Sequence, residues 1–236
     1  MIPNKKQTAR IVALLSVIFV LIPLTIWLGI WLFKEKKYNI ISIIIAFLSC
    51  IPFFIRFEKG KRGTREMIVI AVMSAFSVIG RLAFALLPAF KPVTAITIIS
   101  GIALGPESGF IVGSMTALVS NLFYGQGPWT PFQMFGWGVI GFLAGIIFKK
   151  NTKPNRVVLS VVGAFGGVLF SLLMDIWTTL SLDGTFLLSR YLVTVTSSLS
   201  FMLIYAVSNI VFLIILAHPF LEKLNRIKTK YGLFSD

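Results

Sequence analysis

The chain has 236 residues, 57% of them hydrophobic and 13% charged, with a mean hydropathy of +0.92. A soluble core of that length needs far less apolar surface, so composition points to a bundle of membrane helices. Lys and Arg number 22 against 8 Asp and Glu, a net charge of +14. The positives cluster in short segments beside apolar runs, which argues against a nucleic-acid face and for loops flanking membrane spans.

Lys5, Lys6 and Arg10 precede a first apolar run, about 11–33. It resembles a secretory leader, but it is too long and lacks a small-residue cleavage site, so it is expected to stay as a span. A second run covers about 39–55 and holds Cys50, expected as a small buried hydrophobe. One cysteine excludes an internal disulfide. Basic residues from Arg56 to Arg65 follow, then a span at about 67–90. Residues 93–124 break at Gly105–Ser108 into two short or tilted spans, about 93–104 and 109–124. The turn Tyr124–Gln133 interrupts the apolar pattern with glycine, proline, tryptophan and glutamine. Spans at about 131–148, 157–181 and 189–217 complete the series, with basic runs at Lys149–Arg156 and Lys223–Lys230. The fold class is all-α, a polytopic membrane helix bundle. Residues 1–58 form a two-span N-terminal extension, 59–222 a six-span substrate-binding core and 223–236 a basic cytoplasmic tail.

Four spans separate the first two core basic clusters and two separate the next pair, so all three clusters share one face, the cytoplasmic one. Both termini are then cytoplasmic. Lys34–Lys37 falls on the opposite face and breaks the rule. Helix rise places Arg81 roughly 22 Å and Asp175 roughly 27 Å from the cytoplasmic side. Asn121, Lys91, Gln126, Trp129, Gln133, Trp137 and Arg190 share that outer level. Polar groups inside a span cost several kcal/mol unless paired or wet, so their convergence suggests an outward-facing cavity. An Arg81–Asp175 structural pair is the competing reading, and a membrane-interface aromatic belt competes for the tryptophans. Small residues four apart recur at Ala71/Ala75, Gly109/Gly113, Gly141/Gly145 and Gly163/Gly167, with close packing inside the protein as the default.

The stretch Arg65–Ala75, then Gly80-Arg81, Lys91-Pro92, Gly105–Gly109, Ser120-Asn121 and Gly125–Pro131, resembles the substrate-binding S component of energy-coupling factor (ECF) vitamin transporters. The likeness covers about residues 60–222, and the Gly125–Pro131 turn is most similar to the cobalamin branch. The two-span extension departs from that family's six-span pattern. The resemblance implies a subunit of an ECF-type ABC transporter complex that binds a vitamin, cobalamin first, from outside. It implies delivery inward with a transmembrane T component and two cytoplasmic ATPases. It also implies that Ala71 and Ala75 dock on the T component. Expected substrate-binding residues are Arg81, Lys91, Asn121, Gln126, Trp129, Phe132, Gln133, Trp137 and Asp175. Their aromatic faces and amides suit a planar amide-bearing vitamin, and riboflavin fits the same chemistry.

No phosphate-binding loop is present, so ATP hydrolysis falls to partners. His218 has no cysteine or carboxylate cluster and is expected as a solvated side chain rather than a metal ligand. No nucleophile–base pairing stands out, so an enzyme is not expected. A stand-alone secondary transporter would need a coupling-ion site, and the lone intramembrane carboxylate Asp175 disfavours one.

Overall fold

The computed structural model describes residues 63–149, 154–183 and 186–234, together with Val20, Leu24, Ile44, Leu48 and Ile51. The two expected N-terminal spans, the Lys34–Lys37 segment and Cys50 lie outside the described residues, apart from those five positions. Leu48 and Ile51 pack against an apolar cluster built on Phe110, Phe132 and Phe142.

Six helices make up the described core: α1 (Thr64–Ala83), α2 (Val93–Leu104), α3 (Pro106–Tyr124), α4 (Trp129–Ile147), α5 (Arg156–Asp183) and α6 (Leu188–Tyr231). They answer the six expected core spans. Among the described residues there is no strand, as an all-helical bundle requires. Helices α1, α4, α5 and α6 are long and apolar enough to cross a membrane. With its family relationships, given below, this makes the protein multi-pass.

Helix α2 is different. Its 12 residues rise only about 18 Å, well short of a roughly 30 Å hydrocarbon core. Every one of them is buried, and α2 touches each of the other five helices. Such an all-round apolar helix is stable only when enclosed by protein. The expected short span is therefore a central post surrounded by the others.

The chain reverses between α2 and α3 at Gly105, whose φ of 96° is open to glycine at little cost. Pro106 then starts α3, where its missing N–H leaves no bond unmade. Helix α1 stops at Ala83, short of the expected 90, because Pro88 and Pro92 bias the residues before them away from helix. Helix α6 instead runs past the expected end, through Pro219, and takes in the basic run Lys223–Lys230.

The glycines explain how the bundle closes. A Cβ on Gly109 would lie 2.5 Å from the Gly141 carbonyl oxygen and 2.7 Å from Gly101 Cα. Helices α2, α3 and α4 thus cross backbone to backbone. Gly113 meets the Trp137 backbone, and Gly163 and Gly167 meet α6. These small-residue faces pack within the chain. Ala71 and Ala75 do not, because both are exposed, on a side of α1 shared with Ile68, Val72, Phe76 and Ile79.

One end of the bundle is basic. Arg65 lies over the Tyr231 ring at 5.6 Å, and Lys228 donates to the Ala103 carbonyl at 2.7 Å. Arg156 shares a groove with His218 and Glu222. The described members of the three basic clusters therefore meet at one end, as the span count requires.

Candidate ligand-binding site

The opposite end holds the polar residues that helix arithmetic placed at one level. Arg81, in the last turn of α1, is 8% exposed. Its Nη1 donates to Ser120 Oγ and, at 2.8 Å, to Asn121 Oδ1 on α3. Asn121 is 1% exposed and donates through Nδ2 to Thr130 Oγ1 and Gln133 Oε1 on α4, both at 2.8 Å. One amide thus ties α1, α3 and α4 together. An asparagine suits that place because it accepts and donates at once. A buried network of this kind is rigid only if each member is satisfied.

Two aromatic rings also approach the guanidinium. Arg81 lies 4.6 Å from the Tyr124 ring centroid and 4.9 Å from that of Trp137. The Tyr124 hydroxyl donates back to the Arg81 carbonyl at 2.8 Å. Lys91 approaches the same Tyr124 ring at 5.9 Å, and its Nζ donates to the Leu87 carbonyl at 3.2 Å. The Ser208 hydroxyl on α6 donates to the Lys91 carbonyl at 3.1 Å and holds that loop on the bundle. Burial, and after it the Arg81 charge, pulls the Lys91 ammonium below the ordinary lysine range.

Between these groups lies a pocket of about 70 Å³. Arg81, Lys91 and Gln133 give it a polar wall, with Thr94 at its base. Trp137, Phe170 and Tyr205 give it an aromatic wall. Trp137 and Phe170 stack with centroids 4.8 Å apart and planes 1° from parallel, and Tyr205 meets Phe170 edge-on at 5.2 Å. Flat apolar faces beside a few fixed polar groups are the usual make-up of a small-molecule site.

Of the nine residues read from sequence, Arg81, Lys91, Gln133 and Trp137 line this pocket, and Asn121 braces it. The other four stand elsewhere. Gln126 donates to the Leu118 carbonyl and accepts from Thr130, ordering the turn before α4. Trp129 is 36% exposed and lies against Gly127 in that turn. Phe132 belongs to the second apolar cluster, 5.5 Å from the Trp177 ring, on another face of α4. Asp175 accepts from Ser198 at 2.6 Å and does not reach the pocket. Arg81 and Asp175 each have a different partner, so the interhelical pair considered from sequence is not formed.

Phe170, Tyr205, Tyr124 and Ser120 complete the site; the first two escape the sequence reading, and the others stand in it only within the Tyr124–Gln133 turn and the Ser120-Asn121 pair. Phe170 follows a glycine-rich face and reads as core. Tyr205 is a lone hydroxyl in an apolar run, which is its only signal. Elsewhere, His218 pairs with Glu222 at 3.3 Å with most of its side chain exposed. No cluster suited to a metal ion occurs among the described residues.

The comparisons with known proteins agree with this architecture. Residues 61–226 match the family model described as "ECF-type riboflavin transporter, S component". A UPF0397 protein of Aliivibrio fischeri (strain MJ11) is 30% identical over 118 residues, covering 44% of this chain and 64% of the relative. A UPF0397 protein of Aliivibrio salmonicida is 30% identical over 128 residues, 47% of this chain and 69% of the relative. One of Vibrio atlanticus is 34% identical over 98 residues, 39% and 52% respectively. The chain thus spans between about half and two thirds of these relatives' lengths. No solved structure matches it.

Proposed function

The chain belongs to the family of ECF-type riboflavin transporter S components, and on that footing we propose that it binds a planar heterocyclic vitamin outside the cell and delivers it inward. The observation that carries this reading is the pocket between Arg81, Lys91, Gln133 and the Trp137–Phe170 stack, at the end of the bundle away from the basic clusters. The positive-inside rule favours the basic end, with the C-terminus, as cytoplasmic, so the pocket opens outward. Transport then uses a transmembrane T component and two ATPases as partners, with the exposed Ala71/Ala75 face of α1 as the docking surface. The chain itself is a transport subunit and not an enzyme.

Riboflavin is the first ligand to test. The family's description favours it, and a flat ring suits the aromatic wall better than a corrin does. Cobalamin is the second, on the strength of the Gly125–Pro131 turn. Ligand sites measure roughly 300–1,000 Å³, so either vitamin must part the pocket walls on binding. The two turns that frame the site, residues 84–92 and 125–128, supply that movement.

Both vitamins are coloured, so a visible spectrum of the purified chain, followed by titration with each, tests the assignment. A yellow flavin spectrum supports riboflavin and a red corrin spectrum supports cobalamin. A chain that carries and binds neither refutes riboflavin and cobalamin as its ligands. Failure to co-purify with co-expressed T component and ATPases refutes the subunit role.

A further inference from the structure

We infer that the pocket selects a ligand bearing an anionic group, a carboxylate or a phosphate, over the neutral parent of the same ring system. The inference rests on the vitamin-binding reading above and narrows its ligand class. Its basis is a charge imbalance. A guanidinium carries five N–H donors. Arg81 uses those of Nη1 on Ser120 and Asn121, while Nη2 and Nε have no acceptor among the described residues. Two rings crowd the guanidinium and Arg81 lines the pocket, which makes a ligand there the natural acceptor for these donors. Lys91 spends one donor on the Leu87 carbonyl and brings a second positive charge to the same Tyr124 ring.

Among the described residues no carboxylate lines the pocket. Asp175, at the same end of the bundle, is engaged with Ser198. Two like charges at a site with apolar walls repel one another, and low dielectric strengthens that repulsion. A carbonyl oxygen on a neutral ligand would accept the free N–H groups yet leave the charge in place. A carboxylate or phosphate does both, and a planar group meets the guanidinium through two parallel bonds. The aromatic wall next to the cations then takes the ring that carries the anion. A cationic ring is rejected by the same geometry.

Matched pairs provide the test, titrated against the purified full-length chain and followed by tryptophan fluorescence and calorimetry. Riboflavin against riboflavin 5′-phosphate probes a phosphate, and nicotinamide against nicotinate probes a carboxylate. The anionic member of at least one pair is expected to bind about tenfold tighter or more, as a charge-assisted contact implies. The preferred pair identifies the group. Lys91→Gln, checked for unchanged thermal stability, should weaken the anionic member about tenfold more than its neutral parent. Equal weakening of both would assign Lys91 a structural role and overturn the inference. So would a titration in which no anionic member outbinds its parent. Riboflavin binding with no anionic preference in either pair overturns this inference and leaves the proposed function standing. Preferred nicotinate with neither flavin nor cobalamin bound upholds the inference and rules out both vitamins named above as the ligand.

Discussion

Replacing Gly109 with alanine puts a methyl group where α3 crosses α4. Its Cβ would stand 2.5 Å from the Gly141 carbonyl oxygen, whereas ordinary contact begins at 3.4 Å, so the backbones must separate by roughly 0.9 Å. Neither wall of this crossing is a flexible side chain, since the other neighbours are Gly101 Cα and the Gly141 carbonyl carbon. Overpacking costs about 1–3 kcal/mol, and a backbone-walled site belongs at the upper end. Alanine returns about 1 kcal/mol through helix propensity. The net loss is then about 2 kcal/mol, a fall in melting temperature of about 4–8 °C for a chain of this size. The same helix α4 carries Gln133 and Trp137 into the pocket, so ligand affinity should fall with stability. Thermal unfolding of detergent-purified protein, read by size-exclusion recovery, measures the first, and ligand titration the second. Gly63→Ala is the control, because a Cβ there meets nothing within 4 Å. A Gly109→Ala protein as heat-stable as the parent, with unchanged affinity, would refute the backbone-crossing account.

Asn121→Leu removes the amide that joins Arg81 to Thr130 and Gln133 and should cost about 3 kcal/mol, seen as lost thermal stability together with lost ligand binding. Trp137→Ala should cost about 3–5 kcal/mol by opening a cavity against Phe170, while Trp137→Phe keeps a ring there and loses less; unfolding curves of the pair check the order. Ala71→Trp with Ala75→Trp alters only exposed positions, so assembly with a co-expressed T component should fail while ligand titrations are unchanged. The Lys91 pKa lies below the ordinary lysine value, so the pocket keeps this charge under that lowered pKa and loses it as pH rises through it. Affinity for riboflavin 5′-phosphate should therefore start to fall at a pH below the ordinary lysine range, and the Lys91→Gln protein should show a flatter profile.

Much of this protein could be read in one dimension, for physical reasons. Hydrophobic composition is summed along the chain, so the membrane bundle and its six core elements needed no contacts to be recognised. Basic clusters sort by span parity, which is also a property of sequence order. Helical rise is constant, so Arg81 and Asn121 were placed at one level from counting alone. Direction around each helix is another matter. Phe132 and Trp137 lie five residues apart on α4, yet one faces Trp177 and the other the pocket. Only packing against α5 and α3 decides which. Tyr205 and Phe170 joined the site because α5 and α6 bring them there, and nothing local marks either as polar-site residues. The interior fate of α2 likewise depended on its neighbours, since a short apolar helix is equally consistent with a tilted span. Sequence alone determined the class of the protein, its membrane elements and the end that holds its polar residues. Tertiary structure decided which side chains meet at that end. Among the described residues it left Arg81 and Lys91 together without a carboxylate, because charge balance in a pocket depends on three-dimensional neighbours and not on order along the chain.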